Sequence, residues 1–303
     1  MKKPKNRPVV NVVFQGMIDE FLTRLEVANY SNDSVKSYKS PLKSFFLFLM
    51  DEGIERVQEV THDLMDKYRL KLVRRELKNS SLELYIRVVR FLFQHLESTG
   101  EIFMNPVSEI VVPRLERHLQ YVPTIDEMEH FLDMDTPTPQ RIRDKAFFET
   151  AYSCGARVTE LRMLDLQDFN QDKKELRIFG KGRKERIIPI GKYAERWLDK
   201  YIKKARPILL GEKENKALFL TRDGNRVTRV GIQKQVQFRR EEAGLPEVSM
   251  HAIRRACATH MLQGGASPVG IQKLLGHAGL ESLSQYLSVS IAELKETHER
   301  NLR

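Results

Sequence analysis

Apolar residues in the first hundred positions recur every three or four residues, and that period admits one kind of local structure. Phe14, Ile18, Phe21, Leu22 and Leu25 form the first such series, and Val35, Tyr38, Leu42, Phe45, Phe46 and Leu49 the second. Leu64, Tyr68, Leu72 and Leu77 form a third, and Leu82, Tyr85, Val89, Leu92 and Leu96 a fourth. Side chains at this spacing share one face of an α-helix, so each series is a stripe that must be covered. Four stripes predict a small four-helix bundle. Ser31 or Asn32 suits the N-cap of the second helix, Gly53 suits its end, and Asn79 to Ser81 separates the third from the fourth.

Two of these helices carry basic stripes. Lys36, Lys39 and Lys43 stand at i, i+3 and i+7, and Lys67, Lys71, Arg74 and Lys78 continue along one face of the third helix. Such a stripe can lie along a phosphate backbone or be a plain solvated face. Beyond the fourth helix the periodicity stops, and Pro106, Pro113 and Pro123 punctuate the chain. We therefore expect a first domain over 1–112, a linker over 113–122 and a second domain over 123–303. Thr124 with Glu127 forms a capping box that opens the second domain. That domain is mostly helical in pattern, apart from Glu175 to Phe179 and Arg186 to Ile190, which flank a glycine-containing turn and predict a β-hairpin. The fold class expected is mainly α with one small β element.

Charge narrows the partner. Lysine and arginine outnumber aspartate and glutamate by 51 to 41, a net charge of +10. Residues 113–303 carry +8 of that excess and residues 1–112 only +2. A basic second domain suits nucleic acid or an acidic membrane, while a modest excess also simply aids solubility. Cys154 and Cys257 are the only cysteines and sit among small and apolar residues, which argues against a disulfide framework or a thiolate zinc site. The basic start is followed by no signal-type apolar core, and the longest apolar run, Phe45 to Met50, is too short to span a bilayer. A soluble cytoplasmic protein with no membrane partner is expected.

Four segments of the second domain concentrate unusual polar residues: Gly155 to Leu161, Gly180 to Arg186, His251 to Arg254, and Leu275 to Gly279 followed by Tyr286. Each has an ordinary structural explanation. Arg157 lies in a small and apolar stretch with Glu160 one helical turn away, enough for an ion pair. Lys181 sits between glycines at the hairpin tip, where most lysines are merely solvated. His251 and Arg254 project from one face at a helix start, and His277 follows a glycine that can cap a helix. Tyr286 has the spacing of a core tyrosine.

Together they answer one chemical need. Two guanidiniums, one ammonium, two imidazoles and one phenol, with no carboxylate cluster, suit phosphoryl transfer without a metal or other cofactor. Arginine forks bind two non-bridging phosphate oxygens at once and neutralise the charge that builds in the transition state. A phenol of pKa about 10 costs about 4 kcal/mol to ionise at pH 7, so an attacking tyrosine needs a base or an electropositive site. A lysine can protonate the leaving alkoxide.

The order arginine, hairpin lysine, His-x-x-Arg, Gly-His and tyrosine resembles the catalytic set of the tyrosine recombinase (phage integrase) family, in its Xer-like and mobile-element branch. The intervals agree: 24 residues from Arg157 to Lys181, 70 to His251, three to Arg254, 23 to His277 and nine to Tyr286. The stretch from Ser31 to Met50 is similar to the family's N-terminal DNA-clamping helix. The resemblance implies a SAM-like helical clamp followed by a catalytic domain. It implies that Tyr286 attacks the scissile phosphate to give a 3′-phosphotyrosyl bond and a free 5′-hydroxyl. Arg157 and Arg254 would then clamp the phosphate, Lys181 would protonate the 5′-oxygen, His251 would assist proton transfer, and His277 would bond the phosphate. The implied partners are a double-stranded DNA recombination site and three further copies of the chain, a homotetramer in which the C-terminal tail passes between protomers. Arg255 departs from the pattern, standing where the family often has histidine, and Leu287-Ser288 replaces the commoner Thr-His.

Arg222, Arg226 and Arg229 fall in a predicted loop before a helix that begins near Val230 and carries Gln233, Gln235, Gln237, Arg239 and Arg240. Amides and arginines there suit base edges and phosphates, or solvent. A type IB topoisomerase-like relaxing enzyme shares the chemistry, and a catalytically idle DNA-binding module would share the charge. Tyr286 together with both arginines argues against the second, and a separate bundle suited to clamping a half-site argues against the first.

Overall fold

A computed structural model describes residues 9–77, 79–108, 110, 120–180 and 185–276. The chain divides into two compact units, Met1–Arg117 and His118–Arg303.

The first unit is built on four helices, α1 (Val12–Val27), α2 (Asn32–Asp51), α3 (His62–Val73) and α4 (Asn79–Ser98). The first three start on side-chain caps: Asn11 accepts from the amide of Phe14, Ser31 from Ser34 and Thr61 from Leu64. Phe14, Leu42, Phe45, Phe46, Leu72, Ile86 and Phe93 are wholly buried, each contributing about 1.5–3 kcal/mol through the apolar surface it removes from water. The third helix stops earlier than the spacing predicts. Arg75 and Glu76 donate to carbonyls three residues back, and Glu76 turns into the left-handed region at φ 53°, so the chain reverses before Leu77. Asn79 to Ser81 accordingly open α4 rather than separating two helices, and Arg74 caps α3 instead of extending its basic face.

The second unit begins with α5 (Ile125–Leu132), whose Thr124–Glu127 capping box is fully formed. Next come α6 (Pro139–Cys154) and α7 (Val158–Met163). A three-stranded antiparallel sheet then forms from β1 (Phe169–Asn170), β2 (Glu175–Phe179) and β3 (Glu185–Pro189) in sequential order. The expected hairpin is β2–β3, and β1 adds a two-residue edge. Leu176, Ile178 and Ile188 face inward, and the register sets Arg186 opposite Ile178 on that same face. The remaining helices are α8 (Lys192–Lys200), α9 (Arg206–Leu210), α10 (Arg229–Glu242), α11 (Met250–Gln263) and α12 (Pro268–Leu275), with a π-helical turn over Tyr201–Ala205.

Helix α6 runs through the middle of this unit and buries polar side chains along with apolar ones. Arg143 donates to Asp144 and to the carbonyl of Leu220, and Lys145 pairs with Glu149 at 3.0 Å while donating to the carbonyl of Leu132. Buried charge persists here because each group has a partner. Burial pushes the carboxyls of Asp144 and Glu149 upward despite those partners. The helix ends at Gly155, in the left-handed region at φ 56°.

Candidate functional site

Three helices converge on the left-handed turn at Gly155. A Cβ there would stand 2.7 Å from a methyl of Leu275 and 3.0 Å from the sulfur of Cys257, so α6, α11 and α12 meet around a residue that has none. Two residues on, Arg157 is the N-cap of α7. Its amide donates to Glu160 Oε2 at 2.8 Å, and its Nη1 donates to Glu160 Oε1 at 3.0 Å. The ion pair read from the sequence is present, and the Arg157 side chain remains 38% exposed. Glu160 does more than pair with Arg157. Arg186 Nη1 and Nη2 donate to its two oxygens at 3.2 and 2.7 Å. Burial alone would push this carboxyl up, but the donors from Arg186 and Arg157 outweigh it and hold it below the usual carboxylate range.

The second arginine reaches the same turn from α11, which starts on its Ser249 cap. Arg254 is buried, donating from Nη1 to the carbonyl of Gly155 at 2.6 Å and from Nη2 to that of Leu275 at 2.9 Å. One guanidinium thus fastens the α6–α7 turn to the end of α12. Arg157, Arg254 and the residue that precedes His277 in sequence are brought into one place. His251 lies one turn before Arg254 and is exposed. Partial loss of hydration lowers its pKa below the ordinary histidine value, and the charges of Arg255, Arg254, Arg229 and Arg157 lower it further. The imidazole is neutral at pH 7 and able to accept a proton.

Lys181, His277 and Tyr286 lie outside the described residues. The strands on either side of the segment 181–184, β2 and β3, are paired from Glu175–Pro189 to Phe179–Glu185. The helix before His277 ends at Gly276 in the left-handed region at φ 64°, as Leu274-Leu275-Gly276 predicts.

The residues expected to contact phosphate differ in their surroundings. Lys36, Lys39 and Lys43 on α2 are exposed and pair with no carboxylate among the described residues, and Arg222, Arg229 and Gln233 are exposed at the start of α10 and in the preceding loop. Lys67 and Lys71, by contrast, reach Glu52 at 3.5 Å and Asp51 at 2.8 Å, and Arg74 is exposed at the end of α3. Arg226 is turned inward: it pairs with Asp165 and donates to the carbonyls of Arg162 and Leu164 at 3.0 and 2.9 Å. Arg239 is buried as well, donating to the carbonyls of Phe131 and Asp133 at the end of α5, so it closes that helix rather than facing outward.

Two structural roles escaped the sequence reading. Arg186 was legible in principle, because an arginine on the inward face of a strand must find a partner. Arg255 donates twice to the carbonyl of Tyr121 and once to Gln120, holding the start of the second unit against α11, and nothing local signals that bond. Burial pushes the thiols of Cys154 and Cys257 up to about 12, which leaves them protonated packing groups behind the site. A cleft of about 590 Å³ between α5, α6 and α8, lined by Glu129, Lys145 and Trp197 among others, contains none of the residues gathered around Gly155.

The second unit matches the phage integrase family over residues 123–293, and the first matches the phage integrase N-terminal SAM-like domain over residues 18–100. Tyrosine recombinase XerC of Pelobacter propionicus is 34% identical over 278 residues, covering 90% of this chain and 90% of that protein. Tyrosine recombinase XerD of Listeria monocytogenes is 33% identical over 290 residues, covering 94% of this chain and 97% of that protein. Among solved structures, XerH site-specific recombinase bound to a palindromic difH substrate in a post-cleavage complex aligns with TM-score 0.75 at 20% identity, covering 92% of this chain and 82% of that one. A lambda integrase dimer bound to a COC′ core site aligns with TM-score 0.69 at 17% identity, covering 90% and 76%. These two likenesses extend to the fold. With both domain matches and relatives above 30% identity along nearly its whole length, the chain belongs to the phage integrase family of tyrosine recombinases.

Proposed function

We propose that this protein is a site-specific DNA recombinase that cuts and rejoins duplex DNA through a 3′-phosphotyrosyl intermediate at Tyr286. The observation that carries the reading is Arg254, which joins the turn before Arg157 to the end of α12 and so brings together segments nearly a hundred positions apart in the chain. Arg157 and Arg254 clamp the non-bridging oxygens and offset the charge of the pentacoordinate transition state. His251, neutral at pH 7, receives the phenolic proton as the Tyr286 oxygen bonds to phosphorus. The bond to the 5′-oxygen breaks, Lys181 supplies the proton for that leaving group, and His277 donates to a phosphate oxygen. Reversal by an incoming 5′-hydroxyl reseals the strand and frees Tyr286.

The domain assignment that fits this reading is a core-binding clamp over 1–112, a linker over 113–122 and a catalytic domain over 123–303. Lys36, Lys39 and Lys43 approach the backbone from the clamp, and Arg222, Arg229 and Gln233 from the catalytic domain. Recombination joins two duplexes, so the working assembly is a homotetramer whose C-terminal tails, from about Ile291 onward, are exchanged between protomers. The reaction requires no metal, because the guanidiniums supply the charge that a divalent ion would otherwise bring. No helix among the described residues is long and apolar enough to cross a membrane.

The test is to incubate the protein with duplex DNA from the locus that flanks its own coding sequence, in EDTA, and to resolve products on a denaturing gel. A covalent adduct at a DNA 3′ end is expected from wild type and none from Tyr286→Phe. An adduct formed equally by Tyr286→Phe removes the mechanism, and an adduct that requires magnesium removes the metal-free step. Truncation after Ser290 should leave cleavage and abolish assembly of the two-duplex complex.

A further inference from the structure

One guanidinium that the proposed reaction does not use joins three elements of the site. Arg186 follows the hairpin on β3, inward and only 14% exposed at its side chain. Its Nη1 and Nη2 hold both oxygens of Glu160, the carboxylate that grips Arg157 by side chain and by amide. Its Nε donates to the carbonyl of Leu274 at 3.0 Å. Gly276 lies flat against the same group: a Cβ there would stand 3.0 Å from both Cζ and Nη1 of Arg186. The turn leading to His277 is therefore shaped against the guanidinium plane, while the other edge of that plane fixes the partner of Arg157.

We propose that Arg186 is a positioning residue for DNA cleavage, holding Glu160, and through it the Arg157 fork, in register with the Gly276 turn that leads to His277. This role rests on the recombinase reading of Arg157, His277 and Tyr286. A planar fork is required, because an ammonium cannot span both carboxylate oxygens and the Leu274 carbonyl or offer Gly276 a flat surface. Misplacing a phosphate ligand by a fraction of an ångström lowers the rate of the chemical step while leaving the duplex grip elsewhere intact.

Full-length Arg186→Lys, Arg186→Gln, Glu160→Gln and the double variant Arg186→Gln/Glu160→Gln are compared with wild type on a duplex fragment that wild type cleaves. Single-turnover adduct formation is measured on a gel and duplex affinity by fluorescence anisotropy. For Arg186→Gln we expect adduct formation to fall roughly 10- to 100-fold with the dissociation constant within about threefold of wild type. Arg186→Lys should recover only part of that loss, and Glu160→Gln should lose about as much as Arg186→Gln. Because the two residues act through one contact, the double variant should lose no more than the worse single one. Melting temperatures of Arg186→Gln and of the double variant show whether either slow variant is merely unfolded. A third arm uses a 5′-bridging phosphorothiolate, whose thiolate leaving group needs no general acid: it should rescue Lys181→Ala but not Arg186→Gln.

Rates within twofold of wild type in Arg186→Gln overturn the proposal. So does parallel loss of DNA affinity, rescue by the phosphorothiolate, or a folded double variant that cleaves at the wild-type rate. An adduct that survives Tyr286→Phe would instead refute the catalytic reading, independently of Arg186.

Discussion

Replacing Gly155 by alanine separates two costs that the structure places on one residue. Gly155 has φ 56°, where an L side chain costs about 1–2 kcal/mol in strain. The added methyl would also stand 2.7 Å from Leu275 Cδ2 and 3.0 Å from Cys257 Sγ, inside a packed core, where overpacking adds about 1–3 kcal/mol. The sum is about 2–5 kcal/mol. Gly244 supplies the control within the same unit: its φ is 68°, and a Cβ there would meet nothing within 4 Å, so Gly244→Ala carries the strain alone. Trp197 is the only tryptophan and lies in this unit, so urea unfolding followed by its fluorescence reports on the second unit without interference from the bundle. Gly155→Ala should lose at least about 1 kcal/mol more than Gly244→Ala. Equal losses for the two variants, with unchanged slopes against urea, would refute the packing account of the Gly155 turn.

The surface and the buried groups give further expectations. Because Lys36, Lys39 and Lys43 have no carboxylate partners among the described residues, replacing any one by glutamine should reduce the slope of log affinity against log salt by about 0.9, whereas Lys71→Gln, which loses a partner in Asp51, should leave the slope unchanged. Filter binding across a salt series measures both. His251 has a pKa below its unfolded value, so its neutral form, and the stability linked to it, are complete above the unfolded pKa and are lost as pH falls through the folded one. Adduct formation should therefore hold at pH 6.5 and fail only at lower pH, and Arg255→Gln should move that limb upward without restoring the full ordinary value, since lost hydration is the larger cause; a limb that stays in place would show that Arg255 does not act on His251. Cys154 and Cys257 should resist alkylation at pH 8 in the folded protein and react promptly in denaturant, as mass spectrometry would show.

The bundle was legible because α1, α2 and α4 each carry a stripe whose burial follows the 3.6-residue period. The end of α3 was not, because Glu76 takes a left-handed turn with neither glycine nor asparagine to announce it. Helix α6 hid its centrality for a related reason. Its Arg143, Asp144, Lys145 and Glu149 are charged, yet each is buried with a partner inside the fold, Arg143 in part with the carbonyl of Leu220, 77 residues away. The site shows the same division. Arg157, His251 and Arg254 stood out by residue type and interval, whereas Arg186 and Arg255 act through carbonyls 88 and 134 residues distant, which no local pattern encodes. The inward turn of Arg226 likewise depends on Asp165, brought close only by the tertiary fold.

The last turn of α12 ends on two adjacent carbonyls, those of Leu274 and Leu275, each taken by a guanidinium from a different element. A helix ordinarily relies on the chain just beyond it to satisfy such groups. Here the cations do so, and they also complement the negative end of the helix dipole. Two of the last four carbonyls of the helix are therefore held by groups on β3 and α11, and the amide of Gly276 takes those of Gln272 and Lys273. The end of α12 is thereby tied to the hairpin and to α11 by the same two guanidiniums that reach Glu160 and Gly155, so α12 cannot loosen at this end without disturbing both.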